Sequence, residues 1–138
     1  MYKYGKKSQE HLATLHPDLQ KILNIAIKYY DITILEGVRD IERQKELVRT
    51  GMSKTMDSKH LKQADGYSHA VDCAIHPIDW SDRERFVLLQ GFLKGVSDML
   101  YDQGQISHRL RLGVDWDNDG NIKEHSFFDG PHVELVKP

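Results

Sequence analysis

Residues 58–72 (SKHLKQADGYSHAVD) place two histidines and two aspartates on either side of a glycine-centred turn. Imidazole nitrogens and carboxylate oxygens are typical zinc ligands, and a catalytic zinc takes three of them and leaves one position open. His60, His69 and Asp72 are therefore candidate ligands. Only a histidine that reaches the same face of the chain as Asp72 can share an ion with it.

The spacing within the following strand argues against the nearer histidine. Residues 69–75 (HAVDCAI) have the composition of a buried strand. Side chains alternate between the faces of a strand, so His69, three positions before Asp72, lies on the opposite face. His76 shares the face of Asp72 but lies about 13 Å away along the strand. Cys73 also points away from Asp72 and fits a small core residue better than a ligand or nucleophile.

His60 precedes this strand on a polar loop, and a loop can fold back to the strand face. The alanines on either side of Asp72 at strand spacing leave room for it. His132, at the start of a predicted strand over 132–136, is the candidate third ligand. The same three residues also fit a site without metal: a solvated loop histidine, an aspartate paired with a lysine, and a histidine at a strand edge.

Three further residues could take part in chemistry at such a metal. Glu134 lies two residues after His132, so on a strand it shares that face and could act as a base or orient the histidine. Arg39 follows an apolar strand and a glycine, where a guanidinium could stabilise an oxyanion or bind a substrate carboxylate. The alternative for Arg39 is a surface ion pair with Asp40 or Glu42. Gln44 could line the same cleft to bind substrate, or be an exposed helix residue.

Residues 115–122 (DWDNDGNI) resemble the first half of an EF-hand calcium loop, with carboxylates at alternating positions and a glycine at the sharp turn. The twelfth position, where a bidentate glutamate is expected, is Ser126, and Glu124 at the tenth could replace it in a shortened loop. An acidic, solvated hairpin loop is the alternative. If calcium binds, we expect it to order the loop; the candidate ligands are Asp115, Asp117, Asp119 and Asn121.

Composition limits the class of protein. A chain of 138 residues fits one domain over 1–138, without a separate binding domain. The net charge of −2 provides no basic surface for nucleic acid, and no apolar run is long enough to insert into a membrane. The N-terminal residues lack the apolar core of a secretory signal, so we expect synthesis in a cytoplasm. The single cysteine suits a reducing compartment, and we expect a monomer.

Helical and strand periodicities alternate along the chain and predict an α+β fold. The apolar stripe from Phe86 to Leu100 predicts the longest helix, opened by a capping box at Ser81. The predicted helices cover 8–15, a segment starting at Pro17, 40–49 and 81–104, and the predicted strands cover 31–38, 69–75, 106–114 and 132–136.

Three motifs carry a family resemblance: Ser58-Lys59-His60, Ala70-Val71-Asp72 and the segment 129–135 (DGPHVEL). Together they resemble the zinc peptidase family that includes phage L-alanyl-D-glutamate endopeptidase endolysins. That family is related to D-Ala-D-Ala carboxypeptidases and vancomycin-resistance dipeptidases. Similar residues occur in order along nearly the whole chain: 8–20, 36–39, Gln44, Gly51, 53–56 and 115–116.

The resemblance implies zinc bound by His60, Asp72 and His132, with Asp129 rather than Glu134 as the general base. It favours the catalytic interpretation of Arg39 and implies a small antiparallel sheet flanked by helices, the D-Ala-D-Ala carboxypeptidase-like (Hedgehog-like) fold. Some related endolysins have an acidic loop here that responds to calcium. The eleven residues between His60 and Asp72 exceed the shorter spacer of many members, and we expect neither Asp65 nor His69 to join the site.

The implied function is hydrolysis of the L-Ala–D-Glu bond in peptidoglycan stem peptides. As an endolysin, the protein would accumulate in the host cytoplasm and reach the cell wall after membrane permeabilisation. A D-Ala-D-Ala carboxypeptidase has the same zinc chemistry and is one alternative. A non-catalytic module that binds wall peptide or calcium is the other.

Overall fold

A computed structural model describes residues 1–123 and 128–138. The described residues form four helices and a four-stranded antiparallel sheet with the strand order β1-β2-β4-β3. The predicted α+β class and the small antiparallel sheet are confirmed. The elements are α1 (Lys6–Leu12), α2 (Pro17–Ala26), β1 (Ile32–Glu36), α3 (Ile41–Arg49), β2 (Ala70–Ile75), α4 (Arg83–Asp102), β3 (Arg109–Leu112) and β4 (His132–Val136).

The side chains of the two central strands, β2 and β4, give the sheet one apolar face and one polar face. Val71 and Cys73 of β2 are buried in the core cluster, together with side chains from α2 and α4. Asp72 lies between them in sequence and therefore points to the opposite face. The register pairs Asp72 of β2 with His132 of β4, so these two side chains share that polar face. The predicted placement of Cys73 in the core is confirmed.

The first helix begins earlier than predicted, and Ser8 does not cap it. The helix begins at Lys6, with Gly5 as its N-cap. The Ser8 hydroxyl instead accepts a hydrogen bond from the Ile34 backbone N–H at 3.0 Å. Ser8 thereby fastens α1 to β1, the strand that leads to Arg39.

The starts of α4 and β3 also differ from the sequence prediction. The N-cap of α4 is Asp82, one residue after Ser81, and its carboxylate accepts from the Arg85 N–H at 3.2 Å. The third strand starts at Arg109 rather than at residue 106. The Ser107 N–H donates to the Asp18 carboxylate at 3.0 Å, which takes it out of any strand ladder.

The third helix was predicted within one residue. Asp40 is its N-cap and accepts from the Arg43 N–H at 2.7 Å. Gly51, just beyond the helix, has φ +80, a left-handed conformation that costs glycine little. The N-cap of this helix therefore directly follows Arg39, which fixes the position of the Arg39 backbone.

Candidate metal centre

Three of the predicted ligands meet on the polar face of the sheet. His60 Nε2 lies 3.1 Å from Asp72 Oδ1 and 3.2 Å from His132 Nδ1. The third separation, from His132 Nδ1 to Asp72 Oδ1, is 3.3 Å. Two ligands on a tetrahedral zinc with bonds of about 2.0–2.1 Å are about 3.3 Å apart, so the donor separations suit this ion.

Two backbone hydrogen bonds, at Lys59 and at His60, hold the loop before β2 at the site. The carbonyl of His60 accepts from the Arg39 N–H at 2.8 Å, next to the end of β1. The carbonyl of Lys59 accepts from the His69 N–H at 2.9 Å, next to the start of β2. The His60 side chain is consequently almost fully buried, at 1% exposure.

The outer ring nitrogens orient both histidines. His60 Nδ1 is 2.9 Å from the Gly37 carbonyl, and His132 Nε2 is 2.9 Å from Glu134 Oε1. Both partners only accept hydrogen bonds, which places the ring protons on these outer nitrogens. In the neutral rings, the inner lone pairs of His60 and His132 therefore face each other and the Asp72 carboxylate. Three converging acceptors repel one another unless a cation lies between them, and this donor set fits zinc.

Gly37 supplies the carbonyl that orients His60, and it must be glycine. A Cβ at this position would lie 2.7 Å from the His11 carbonyl, closer than real Cβ contacts. The absence of a side chain lets the end of β1 pass against α1 and present its carbonyl to His60.

Glu134 is a fixed anion rather than a mobile base. Its Oε1 accepts from His132, and its Oε2 accepts from Arg111 Nη2 at 2.8 Å. Burial opposes ionisation, but these hydrogen bonds outweigh it and lower the pKa of Glu134 to about 2. Of the two roles open at the sequence level, the contacts match a carboxylate that orients a ligand histidine.

Asp129 has the opposite electrostatic environment. Burial raises the pKa of its carboxyl above the usual value, and the charge of Asp72 raises it further. The neighbouring side chains of His132, His60 and Arg39 act in the other direction without cancelling the increase. A carboxyl with a raised pKa beside the ligand group, which is the set of His60, Asp72 and His132, is suited to accept and return a proton.

Gln90, which sequence reasoning did not select, holds the segment that carries Asp129 and His132. Its Nε2 donates to the carbonyls of Gly130 and His132, the latter at 3.1 Å, and its Oε1 accepts from the Val114 N–H at 3.2 Å. Gln90 is 1% exposed and lies within the apolar stripe of α4. A glutamine inside such an apolar stripe was the sequence signal for this role.

Gly113 supports the same segment from β3. Its N–H donates to the His132 carbonyl at 2.7 Å, and its carbonyl accepts from the Asp129 N–H at 3.0 Å. A Cβ at position 113 would lie 2.7 Å from the His132 carbonyl and closer still to that of Asp129. The contact is long-range, so local sequence did not identify this glycine.

Arg39 lies beside the ligand group and is held on two sides. Its Nε and Nη2 donate to Glu36 at 2.7 and 3.0 Å, and its Nη1 donates to Gln44 Oε1 at 2.8 Å. Nη2 is 3.8 Å from Asp72 Oδ2, and the side chain is 10% exposed. Its partner is Glu36, not Asp40 or Glu42, which corrects the surface-pair alternative.

Gln44 is fully buried and does not line an open cleft. Its Nε2 donates to the Ser53 hydroxyl at 2.9 Å and to the Thr55 carbonyl at 2.7 Å. These contacts join Arg39 to the loop after α3. Direct contact with substrate was one interpretation of Gln44, but the structure gives it a supporting position behind Arg39.

His69 belongs to a different group, the outer histidine cluster of His16, Asp18, Asp65, His69 and His108. His69 Nε2 is 2.7 Å from Asp65 Oδ2, and its ring centroid is 5.0 Å from that of His16. His108 Nδ1 is 2.8 Å from Asp18 Oδ2, and its ring is 4.9 Å from that of His16. Neither Asp65 nor His69 contacts the ligand group in the described residues.

The acidic loop brings together the three aspartates among its candidate calcium ligands. Carboxylate oxygens of Asp115, Asp117 and Asp119 lie within 4.8 Å of one another. The Asp115 carboxylate also accepts from the Gly120 N–H at 2.9 Å. The Asn121 Oδ1 accepts from the Lys123 N–H at 3.0 Å. Glu124 and Ser126, which bear on the rest of the motif, lie outside the described residues.

Comparisons with known proteins identify the family of this chain. The family model described as phage L-alanyl-D-glutamate peptidase matches residues 1–136. The L-alanyl-D-glutamate peptidase of Escherichia phage T5 is 32% identical over 143 residues, which cover 98% of each chain. The crystal structure of the L-Ala D-Glu endopeptidase ChiX of Serratia marcescens superposes with a TM-score of 0.73 at 26% identity. That superposition covers 99% of this chain and 90% of ChiX. The chain belongs to the phage L-alanyl-D-glutamate peptidase family.

Proposed function

We propose that this L-alanyl-D-glutamate peptidase cleaves peptidoglycan stem peptides with a zinc ion held by His60, Asp72 and His132. The observation that carries the proposal is the convergence of three lone-pair donors with separations of 3.1–3.3 Å. The outer partners Gly37 and Glu134 leave both imidazoles in the tautomer that binds metal. When bound, zinc supplies Lewis-acid activation of the water and of the scissile carbonyl.

Asp129 is the proposed proton-transfer group. Its burial and raised pKa keep its basicity closer to neutral pH than that of an exposed aspartate. It takes the proton of the attacking water and returns it to the amine of the departing D-glutamate. Glu134 is bound on both oxygens and stays ionised, so it orients His132 throughout.

Arg39 is the proposed electrophile. Its contacts with Glu36 and Gln44 use part of its N–H donors, and the rest remain beside Asp72. A fixed guanidinium at this position stabilises negative charge that develops on the carbonyl oxygen. Gln44, buried behind it, keeps the guanidinium in place and is a positioning residue.

Product analysis on purified peptidoglycan tests the reaction. Zinc-loaded protein should release fragments with new N-terminal D-glutamate, whereas free D-alanine would indicate a carboxypeptidase. No cleavage by zinc-loaded protein would favour a non-catalytic binding module.

Replacement of the proton-transfer group tests the mechanism separately. Asp129→Asn should keep zinc and lower kcat by about 10²–10⁴-fold, the usual contribution of a general base. Asp102→Asn, at a side chain 76% exposed on α4, is the matched control and should keep full activity. Equal activity of the two variants would exclude Asp129 from proton transfer.

We further propose that residues 1–138 act as one monomeric peptidase domain with a D-Ala-D-Ala carboxypeptidase-like fold. The single sheet and its core cluster, which runs from Tyr4 to Leu135, support one domain. No helix among the described residues is long and apolar enough to cross a membrane. We propose that the endolysin reaches the wall after a separate event permeabilises the membrane.

Calcium binding by the acidic loop is a secondary proposal, supported by the proximity of Asp115, Asp117 and Asp119. The loop precedes the segment of Asp129 and His132, so an ion here would order the approach to the site. Activity should fall when a calcium-selective chelator is added while zinc is kept saturating. Unchanged activity under these conditions would contradict the proposal.

A further inference from the structure

A charged cleft of about 520 Å³ lies between α1, β1 and the start of α3. This volume is within the range of about 300–1,000 Å³ that is usual for small-ligand sites. The charged and titratable side chains along it are Lys7, His11, Glu36, Arg39, Asp40 and Arg43.

The cleft adjoins the ligand group. Glu36 lines the cleft and pairs with Asp72 in the register of β1 and β2. Arg39 lines the same wall, and its Nη2 is 3.8 Å from Asp72 Oδ2. A peptide whose scissile bond lies at the metal centre can therefore continue into this cleft.

The acidic side chains of the cleft are already engaged within the protein. Glu36 Oε1 accepts from Arg39 Nε at 2.7 Å and from Arg43 Nε at 3.1 Å. Asp40 caps α3 through Oδ1. Lys7 is exposed and makes no ion pair within the described residues, and the Arg43 side chain is 57% exposed. The cleft thus presents available positive charge on a chain whose net charge is −2.

The substrate of the proposed function brings a matching anion. D-Glutamate has two carboxyl groups, and continuation of the peptide uses only one, so a free carboxylate remains next to the scissile bond. We propose that this cleft binds the D-glutamate side of the stem peptide, with Lys7 and Arg43 pairing with that carboxylate. The inference rests on the proposed function and assigns specificity to residues outside the metal centre.

The test uses the zinc-loaded full chain and two stem tripeptides, one with the free D-glutamate carboxylate and one with that carboxylate amidated. Lys7→Glu should raise KM for the free-carboxylate peptide by about tenfold, since it replaces an attractive partner with a repulsive one, and leave kcat within about twofold. Wild-type protein should show a raised KM on the amidated peptide, and Lys7→Glu should change that value little. Lys28→Glu makes the same charge change at an exposed lysine outside the cleft and should behave as wild type.

Three results would overturn the inference: equal KM changes on both peptides, a change confined to kcat, or the same shift in Lys28→Glu. Failure of wild-type protein to cut either peptide between L-Ala and D-Glu would be a different result. It would remove the proposed function, and the cleft assignment with it, before Lys7 is considered.

Discussion

Two clusters of histidines and aspartates occur among the residues that the structure describes, and their side chains are arranged for different purposes. In the candidate metal centre, His60, Asp72 and His132 direct one donor atom each toward a common point. The outer histidine cluster has more imidazoles, with ring centroids 4.9–5.7 Å apart. Composition alone would make the outer cluster the stronger metal site.

The two clusters differ in the partners that their imidazole nitrogens contact. In the outer cluster, His16 Nδ1 accepts from the Asp18 N–H at 2.9 Å and caps α2, so its lone pair is used within the protein. Burial and the neighbouring histidines lower the pKa of His16, which keeps it neutral in this role. His69 and His108 each pair with a separate carboxylate. Donor atoms of the outer cluster also come within 4.8 Å of one another, but their lone pairs are divided among local partners, whereas those of the candidate metal centre converge.

The comparison also explains the long spacer between His60 and Asp72. Its turn, closed by the Gln63 N–H to Tyr67 carbonyl bond at 2.9 Å, places Asp65 and His69 against His16. The spacer therefore packs against the start of α2 while its ends stay fixed beside the site. Its extra length adds a structural contact and no ligand.

The largest expected effect comes from removing one histidine of each cluster. His60→Ala should lose stoichiometric zinc and lower activity by more than about 100-fold, beyond the usual cost of losing an outer partner. His69→Ala should keep zinc and most of the activity, because it removes a contact with Asp65 and no ligand. Zinc content by atomic absorption and turnover of a muropeptide measure both effects. Zinc loss in His69→Ala with retention in His60→Ala would reverse the assignment of the clusters.

A smaller effect is expected from the carboxylates that contact a histidine in each cluster. Glu134→Gln replaces the charged hydrogen-bond partner of His132 Nε2 with a neutral amide, so zinc affinity should fall by about 10–100-fold. Asp65→Asn changes the partner of His69 in the same way and should leave zinc affinity unchanged. Competition with a chromogenic zinc chelator measures both. Similar losses in the two variants would mean that the outer cluster supports the metal centre.

Strand periodicity and loop reach were sufficient to predict which residues could meet at the metal centre. Alternation along β2 separated Asp72 from Cys73 and His69, because the side-chain period of a strand is short and regular. The pairing of Asp72 with His132 and the fold-back of His60 then brought the donors together.

The supporting contacts could not be predicted in the same way, because they join distant parts of the chain. Gln90 reaches carbonyls some forty positions away, and Asp18 binds His108 ninety positions away. Local periodicity carries no information about such partners. The same contacts shortened β3 at its start, where the Asp18 carboxylate occupies the Ser107 N–H. The calcium motif stays a prediction, since part of it lies outside the described residues.

The smallest effect on activity is expected from Asp18→Asn, which tests whether the outer histidine cluster is structural. Burial opposes ionisation of Asp18, but hydrogen bonds from His108 and the Ser107 N–H outweigh it and hold the pKa of this carboxyl below its usual value. A carboxyl whose pKa is lower in the folded state contributes stability above its unfolded pKa, and that contribution is lost as pH falls through the folded value.

Asp18→Asn should therefore be less stable than wild type by about 1–3 kcal/mol at pH 7, the usual value of hydrogen bonds to a charged group. The gap should narrow as pH falls below about 4, where the wild-type carboxyl also becomes neutral. Urea denaturation with a zinc chelator present measures this difference in the free energy of unfolding. Both proteins are then free of zinc, so zinc release at low pH affects neither of them. Asp102→Asn is the exposed control and should stay within about 0.5 kcal/mol at every pH. Zinc-loaded Asp18→Asn should retain its activity at pH 7, because the outer histidine cluster stabilises the start of α2 and the approach to β3 without holding the ion. A loss of zinc in this variant would instead show that the two clusters are coupled.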